Sequence, residues 1–176
     1  MTTGISTCRM LHAALAGAIC ALLLPAGAQA DITKRNRVTT FGLGPLKIGM
    51  TVQRAERVVG RRIHRTVFNA PCFTARIPPR RLGVWVLGSG NVIGRIDVVK
   101  RGIATRSGIR VGDSVARLRR IYRGQLHARP NFYARSKTDY VIRDGHRKVV
   151  FFTNNRKVTS YSTGRAPEIN YVEGCA

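Results

Sequence analysis

The stretch "LKIGMT" at residues 46–51 returns as "IRVGDS" at 109–114; "VQRAERVVG" follows the first and "VARLRRIYRG" the second. A chain that says nearly the same thing twice at a 63-residue offset is narrowly constrained, because the local structure of one copy must also suit the other. In each copy a glycine, Gly49 or Gly112, permits a sharp turn. A hydroxyl residue, Thr51 or Ser114, then stands where a helix N-cap needs an acceptor. Apolar residues at Val52, Ala55, Val58 and Val59, and at Val115, Leu118, Ile121 and Tyr122, recur at helical spacing. Gly60 and Gly124 stand where C-caps belong. Two short amphipathic helices are predicted.

Strands follow each helix. "LGVWVLG" (82–88) and "VIGRIDVV" (92–99) flank the turn "SGN"; "DYVIRD", "KVVFFT" and "KVTSYST" are separated by "GH" and by Asn154–Asn155. Asp-Gly and Asn-Asn suit hairpins because they tolerate positive φ. At an offset of 65, Val84, Val86, Ile93 and Ile96 match Val149, Phe151, Val158 and Tyr161, so the strands repeat too. The expected fold class is α+β: two tandem helix-then-antiparallel-strand repeats, 42–101 and 102–176, packed as one unit and able to share one sheet.

The N-terminal thirty residues read differently. A polar start ending in Arg9, the apolar run "AALAGAICALLL" and small residues at Ala28 and Ala30 form a signal peptide cleaved near Ala30. Twelve apolar residues fall short of the roughly 18–20 that span a bilayer, so no stable membrane span is expected. "DITKRNRVTTF" (31–41) reads as a basic mobile arm. Cys8 and Cys20 depart with the signal, leaving Cys72 and Cys175 as one disulfide in an oxidising, extracytoplasmic compartment.

Charge narrows the partners. The chain carries 31 Lys and Arg against eight Asp and Glu, a net charge of +23, and 25 of the 31 are arginines. Such a field favours acidic proteins, nucleic acid or envelope polyanions, and it also keeps a secreted chain soluble. The segment "RPNFYARSKTDYVIR" (129–143) interleaves aromatic and basic residues. Arg129, Phe132, Tyr133, Arg135, Lys137, Tyr140 and Arg143 are therefore the candidate binding residues, since arginine and aromatics dominate both protein hot spots and base-stacking surfaces. A strand edge with a solvated charged face is the competing reading.

Motifs for chemistry are absent from the sequence. "GSGNVIG" (88–94) lies between strands with no helix behind it and reads as a hairpin turn. His64, His127 and His146 are scattered among arginines without metal spacing, and neither a cofactor nor a metal is expected. Asp97, Asp139 and Asp144 are the carboxylates a hydrolase would use; Asp139 and Asp144 read more simply as strand-end and turn residues. Trp85 alternates with Val84 and Val86 and is expected in a core or on a binding surface, with the core favoured.

The glycine-turn-helix motif, the turn closing on glycine and the antiparallel strands resemble the unit of the β-lactamase inhibitory protein family, which is also tandem. They also resemble the small outer-membrane assembly lipoproteins of the SmpA/OmlA type. "GLGPLKIGMT" and the closing "NYVEGCA" look like a group of uncharacterised secreted actinobacterial proteins. These likenesses cover Gly42 to Ala176. They imply non-enzymatic binding of a protein partner, an acidic hydrolase among the possibilities, through an exposed sheet face. This chain departs from the inhibitors in having one disulfide rather than one in each half, and in being far more basic. The expectation is a monomeric secreted binding module for an acidic macromolecule. A low-specificity envelope polyanion binder and an unrecognised hydrolase are the alternatives.

Overall fold

The computed structural model describes residues 31–67 and 71–175; the expected signal peptide lies outside the described residues. The two repeated turns are built alike. The Thr51 hydroxyl accepts from the Arg54 N–H (3.2 Å) at the start of α1 (Val52–Val59), and Ser114 accepts from Arg117 N–H (3.1 Å) at the start of α2 (Val115–Ile121). Gly49 and Gly112 turn through φ of +88° and +91°, which a side chain would resist. Their N–H groups donate to Ile93 (2.7 Å) and Val158 (2.8 Å), stitching each turn to a strand far along the chain. Gly60 closes α1 in the left-handed region. The cap of α2 is Tyr122 rather than Gly124, whose φ of +77° falls in the turn beyond it.

Strands dominate the rest. β1 (Arg37–Thr39), β2 (Gly42–Leu43), β3 (Leu46–Lys47) and β8 (Ala104–Thr105) form a four-stranded sheet ordered β3-β2-β1-β8. The larger sheet has eight antiparallel strands, β4 (Arg65–Val67), β5 (Cys72–Ile77), β6 (Val84–Ser89), β7 (Val92–Val98), β9 (His127–Pro130), β10 (Thr138–Asp144), β11 (Arg147–Thr153) and β12 (Val158–Arg165). Its order is β4-β5-β6-β7-β12-β11-β10-β9, so β9 is an outer edge.

This corrects the expected α+β arrangement of two helix-then-strand repeats sharing one sheet. The fold is mostly β, with 43% of the described residues in strands against 15% in helices, and it forms two sheets. The reason is area. Eight strands spaced about 4.8 Å apart make a face roughly 34 Å wide. Helices of eight and seven residues are only about 12 and 10 Å long and cannot cover it alone. The second sheet fills the gap, placing Val38, Leu43 and Leu46 in the same core as Val84, Val86, Phe151 and Tyr161. The Thr163 hydroxyl, donating to the Thr39 carbonyl (2.7 Å), ties the sheets together. The segment 31–41, expected as a mobile arm, carries β1 and buries Ile32 and Val38 in this core.

The opposite face of the eight-stranded sheet has a different cover. The last described residues, 167–175, run across it; Ile169 packs with Val141, Val150 and Phe152. Gly94 makes room for this strap, since a side chain there would collide with the buried Glu168. The Arg95 guanidinium donates to the Tyr171 carbonyl (2.7 Å), and Cys175 is bonded to Cys72 on β5 across a Cα–Cα distance of 5.5 Å. No helix among the described residues is long and apolar enough to cross a membrane.

Candidate functional site

The β9–β10 hairpin carries a recess on each of its faces, because side chains alternate along a strand. The register pairs Arg129 with Asp139 and Ala128 with Tyr140. Arg129 and Asp139 therefore look toward the strap, while Ala128 and Tyr140 look toward α2.

The recess on the α2 side is an open groove of about 820 Å³. Arg119, Arg120 and Arg123 line it with Tyr122, Leu126 and Tyr140. Amphipathic spacing produces this arrangement: Val115 and Leu118 turn inward, so positions 119, 120 and 123 are left exposed. The negative end of the helix dipole favours cations in that last turn. None of the three arginines belongs to the four ion pairs found among the described residues, so their donors are free for a ligand. Behind the groove the floor is rigid. Tyr122 donates to the Thr105 hydroxyl (2.8 Å) and lies 5.6 Å from the Phe151 ring; Phe151 lies 5.8 Å from Tyr161, which donates to the Ile103 carbonyl (2.9 Å). Burial, with the neighbouring Tyr122, pushes the Tyr161 phenol above its ordinary value.

The recess on the strap side is a cleft of about 410 Å³. Its lip is the pair Phe132 and Tyr133, 71% and 64% exposed, with rings edge to face at 5.3 Å. Phe152, Ile169, Tyr171 and Val172 complete the walls. Asp139 lies at its floor, only 2% exposed. The Asn131 amide reaches both its carboxylate oxygens, at 3.2 and 3.1 Å. Through its own oxygen Asn131 accepts from the N–H groups of Tyr133 and Ala134 (3.0 and 3.1 Å), which fixes the turn that presents the aromatic pair. The Tyr133 hydroxyl donates to the Glu173 carboxylate (3.2 Å). Desolvation, then the charge and hydrogen bond of Glu173, hold that phenol above its ordinary value.

The candidate binding residues are thus divided. Arg129, Phe132 and Tyr133 line the cleft, whereas Tyr140 faces the arginine groove. Arg135 and Lys137 are exposed on the turn between β9 and β10, and Arg143 is exposed farther along β10, opposite Lys148. Arg119, Arg120 and Arg123 escaped the sequence reading, which took from this helix only its apolar stripe and caps. The strap's share of the cleft escaped it too, since residues 169–172 are distant in sequence from 129–139.

The carboxylates do not converge. Asp139 and Asp144 lie five positions apart on β10, hence on opposite faces and roughly 17 Å apart along the strand. That is well beyond the 5–9.5 Å or so that a glycosidase pair needs. Asp97 is on β7, three strands away, where it accepts from Arg95 (2.6 Å) and from the Ser162 hydroxyl. Asp144 accepts from Thr40 (2.6 Å). No group of three or more His, Cys, Asp or Glu able to hold a metal ion occurs among the described residues, His64, His127 and His146 included. Trp85 is half-buried on the strap face, under the Arg76 guanidinium at 4.3 Å, and not in the main core with Val84 and Val86. Residues 88–94 span the end of β6, the turn at Gly90 and Asn91 with Gly90 at φ +60°, and the start of β7.

No family model and no curated protein matches the sequence. Among solved structures, the uncharacterised protein yfeY from Escherichia coli is similar, with a TM-score of 0.51 over 73% of this chain and 99% of that one. At 16% identity the likeness is one of fold alone.

Proposed function

We propose that this protein is a secreted, non-enzymatic binding module that recognises an acidic macromolecule through the basic and aromatic surface around the β9–β10 hairpin. The observation that carries this reading is the groove: Arg119, Arg120 and Arg123, unpaired with any acid among the described residues, beside Tyr140. Arg129, Arg135 and Lys137 extend the positive surface around the edge strand. A guanidinium offers a planar fork of donors that matches carboxylate and phosphate alike, which suits it to an acidic protein surface or a polyanion. The disulfide supports an extracytoplasmic setting, in keeping with the expected signal peptide.

The test is a salt titration of the oxidised protein against duplex DNA, anionic vesicles, teichoic acid and an acidic protein such as a secreted hydrolase. Charge reversal at Arg119, Arg120 and Arg123 is compared with the same reversal at Arg54, Arg57 and Arg61 on and beside α1. Specific recognition predicts one ligand retained at physiological salt and lost on the groove reversal only. If all ligands dissociate together between about 50 and 200 mM salt, and both reversals act alike, the protein is a low-specificity polyanion binder. If nothing binds and the reversals are silent, the proposal fails.

A further inference from the structure

The cleft invites a ligand of the opposite sign. A carboxylate buried away from water is costly unless a cation or several donors stabilise it. Asp139 is 2% exposed, yet it is in none of the four ion pairs among the described residues, and its side-chain partner is the single amide group of Asn131. Arg129 is its register partner across β9 and β10 but stays exposed rather than closing on it. Four aromatic side chains, Phe132, Tyr133, Phe152 and Tyr171, line the cleft together with this carboxylate. Glu173 adds a second carboxylate at the rim through the Tyr133 hydroxyl. Aromatic faces attract an organic cation, and the attraction grows where water is excluded. The volume, about 410 Å³, lies within the range of small-molecule sites. An anion would meet the floor carboxylate, and a plain hydrocarbon would leave it with no counter-charge.

We propose that this cleft binds a small organic ammonium ion, its alkyl groups against the aromatic walls and its charge above Asp139. The site is independent of the arginine groove, so either can fail without the other. The probes are choline and its neutral isostere 3,3-dimethylbutan-1-ol, titrated by NMR against the oxidised protein while the aromatic ring signals are followed. Choline is expected to bind about tenfold or more tightly than the alcohol. Asp139→Asn should bring choline down to the level of the alcohol and leave the alcohol unchanged. Reversing Arg119, Arg120 and Arg123 should not weaken choline.

Since Asp139 is buried, its variant must first be shown to melt cooperatively. Phe132→Leu, at an exposed position, gives a second reading that does not depend on it. Loss of the ring face with apolar volume kept should weaken choline by about threefold and spare the alcohol. Equal affinity for both probes, an unchanged choline affinity in Asp139→Asn, or parallel changes for both probes in Phe132→Leu would each overturn the proposal. Absence of choline binding at 100 mM would do the same.

Discussion

The two recesses flanking the β9–β10 hairpin share a strand and differ in almost everything else. The groove is wide, open and lined by three arginines that no described acid neutralises. The cleft is half the volume and aromatic, with one of the chain's eight acids at its base. What separates them is the source of each second wall. A short helix, local in sequence to β9, provides the groove's, whereas the cleft's is the C-terminal strap, brought back by a disulfide. One hairpin can therefore offer two opposed chemistries without either perturbing the other, because successive residues of a strand face opposite sides.

The largest effect should come from breaking that asymmetry at the disulfide. Cys72 and Cys175 close a separation of 103 residues, for which chain entropy alone implies a stabilisation of about 4–5 kcal/mol. A Cys72→Ser, Cys175→Ser protein is expected to lose that much in a urea titration. Under conditions where it stays folded, it should lose choline while polyanion binding at the groove persists. Retained choline binding would mean the strap holds its place without the bond, and the two recesses would be less different than their walls suggest.

Salt sharpens the comparison next. If the groove neutralises three phosphates, duplex affinity should fall about fortyfold between 50 and 200 mM salt. Choline over the buried Asp139 should change by about twofold or less, since buried pairs are screened weakly. A shallow dependence at the groove would assign its affinity to Tyr140 and neighbouring contacts instead.

These contrasts explain what the sequence could disclose. Thr51, Ser114, Gly49, Gly112 and Gly60 act through bonds within a few residues or through their own φ, and each was legible for that reason. The disulfide was legible by elimination among four cysteines. The small sheet was not: β2 and β3 are two residues each, too short for alternation to register, and β1 pairs with β8 more than sixty positions away. The same holds for the site. Aromatic–basic interleaving marked residues 129–143 as a candidate binding segment, but alternation divides Tyr140 from Tyr133, and no local pattern announces that Tyr171 will line the same cleft as Phe132. Gly124 misled because a glycine past a helix suggests a cap, whereas the Tyr122 N–H already bonds the Leu118 carbonyl.

Alkali should distinguish the floors of the recesses. The Tyr161 phenol behind the groove is held above its ordinary value by burial. The folded protein therefore keeps a proton that the unfolded chain releases near pH 10. Its contribution is full below that pH and declines as pH rises further, by up to about 1.4 kcal/mol per unit. Unfolding free energies from urea titrations should be level in this contribution up to about pH 10 and fall with that slope above it, and Tyr161→Phe should flatten the fall. A slope unchanged in the variant would shift the effect to other tyrosines.

The smallest effect is expected at the lip of the cleft. Tyr133→Phe removes the hydroxyl that meets Glu173 but keeps the ring that would face the cation. Tyr133 is 64% exposed, so stability should barely move. Choline affinity should stay within about threefold, because attraction to a ring face does not need the hydroxyl. Glu173→Gln supplies the complementary reading. It removes the charge that helps hold the Tyr133 phenol up, so ultraviolet titration should show that tyrosine ionising at lower pH than in the parent protein. If Tyr133→Phe instead abolishes choline binding while the fold is intact, the hydroxyl and its carboxylate partner govern the cleft. It would then select its ligand by directed hydrogen bonds, as the groove's guanidinium groups do, and the contrast between the two recesses would rest on sign of charge alone.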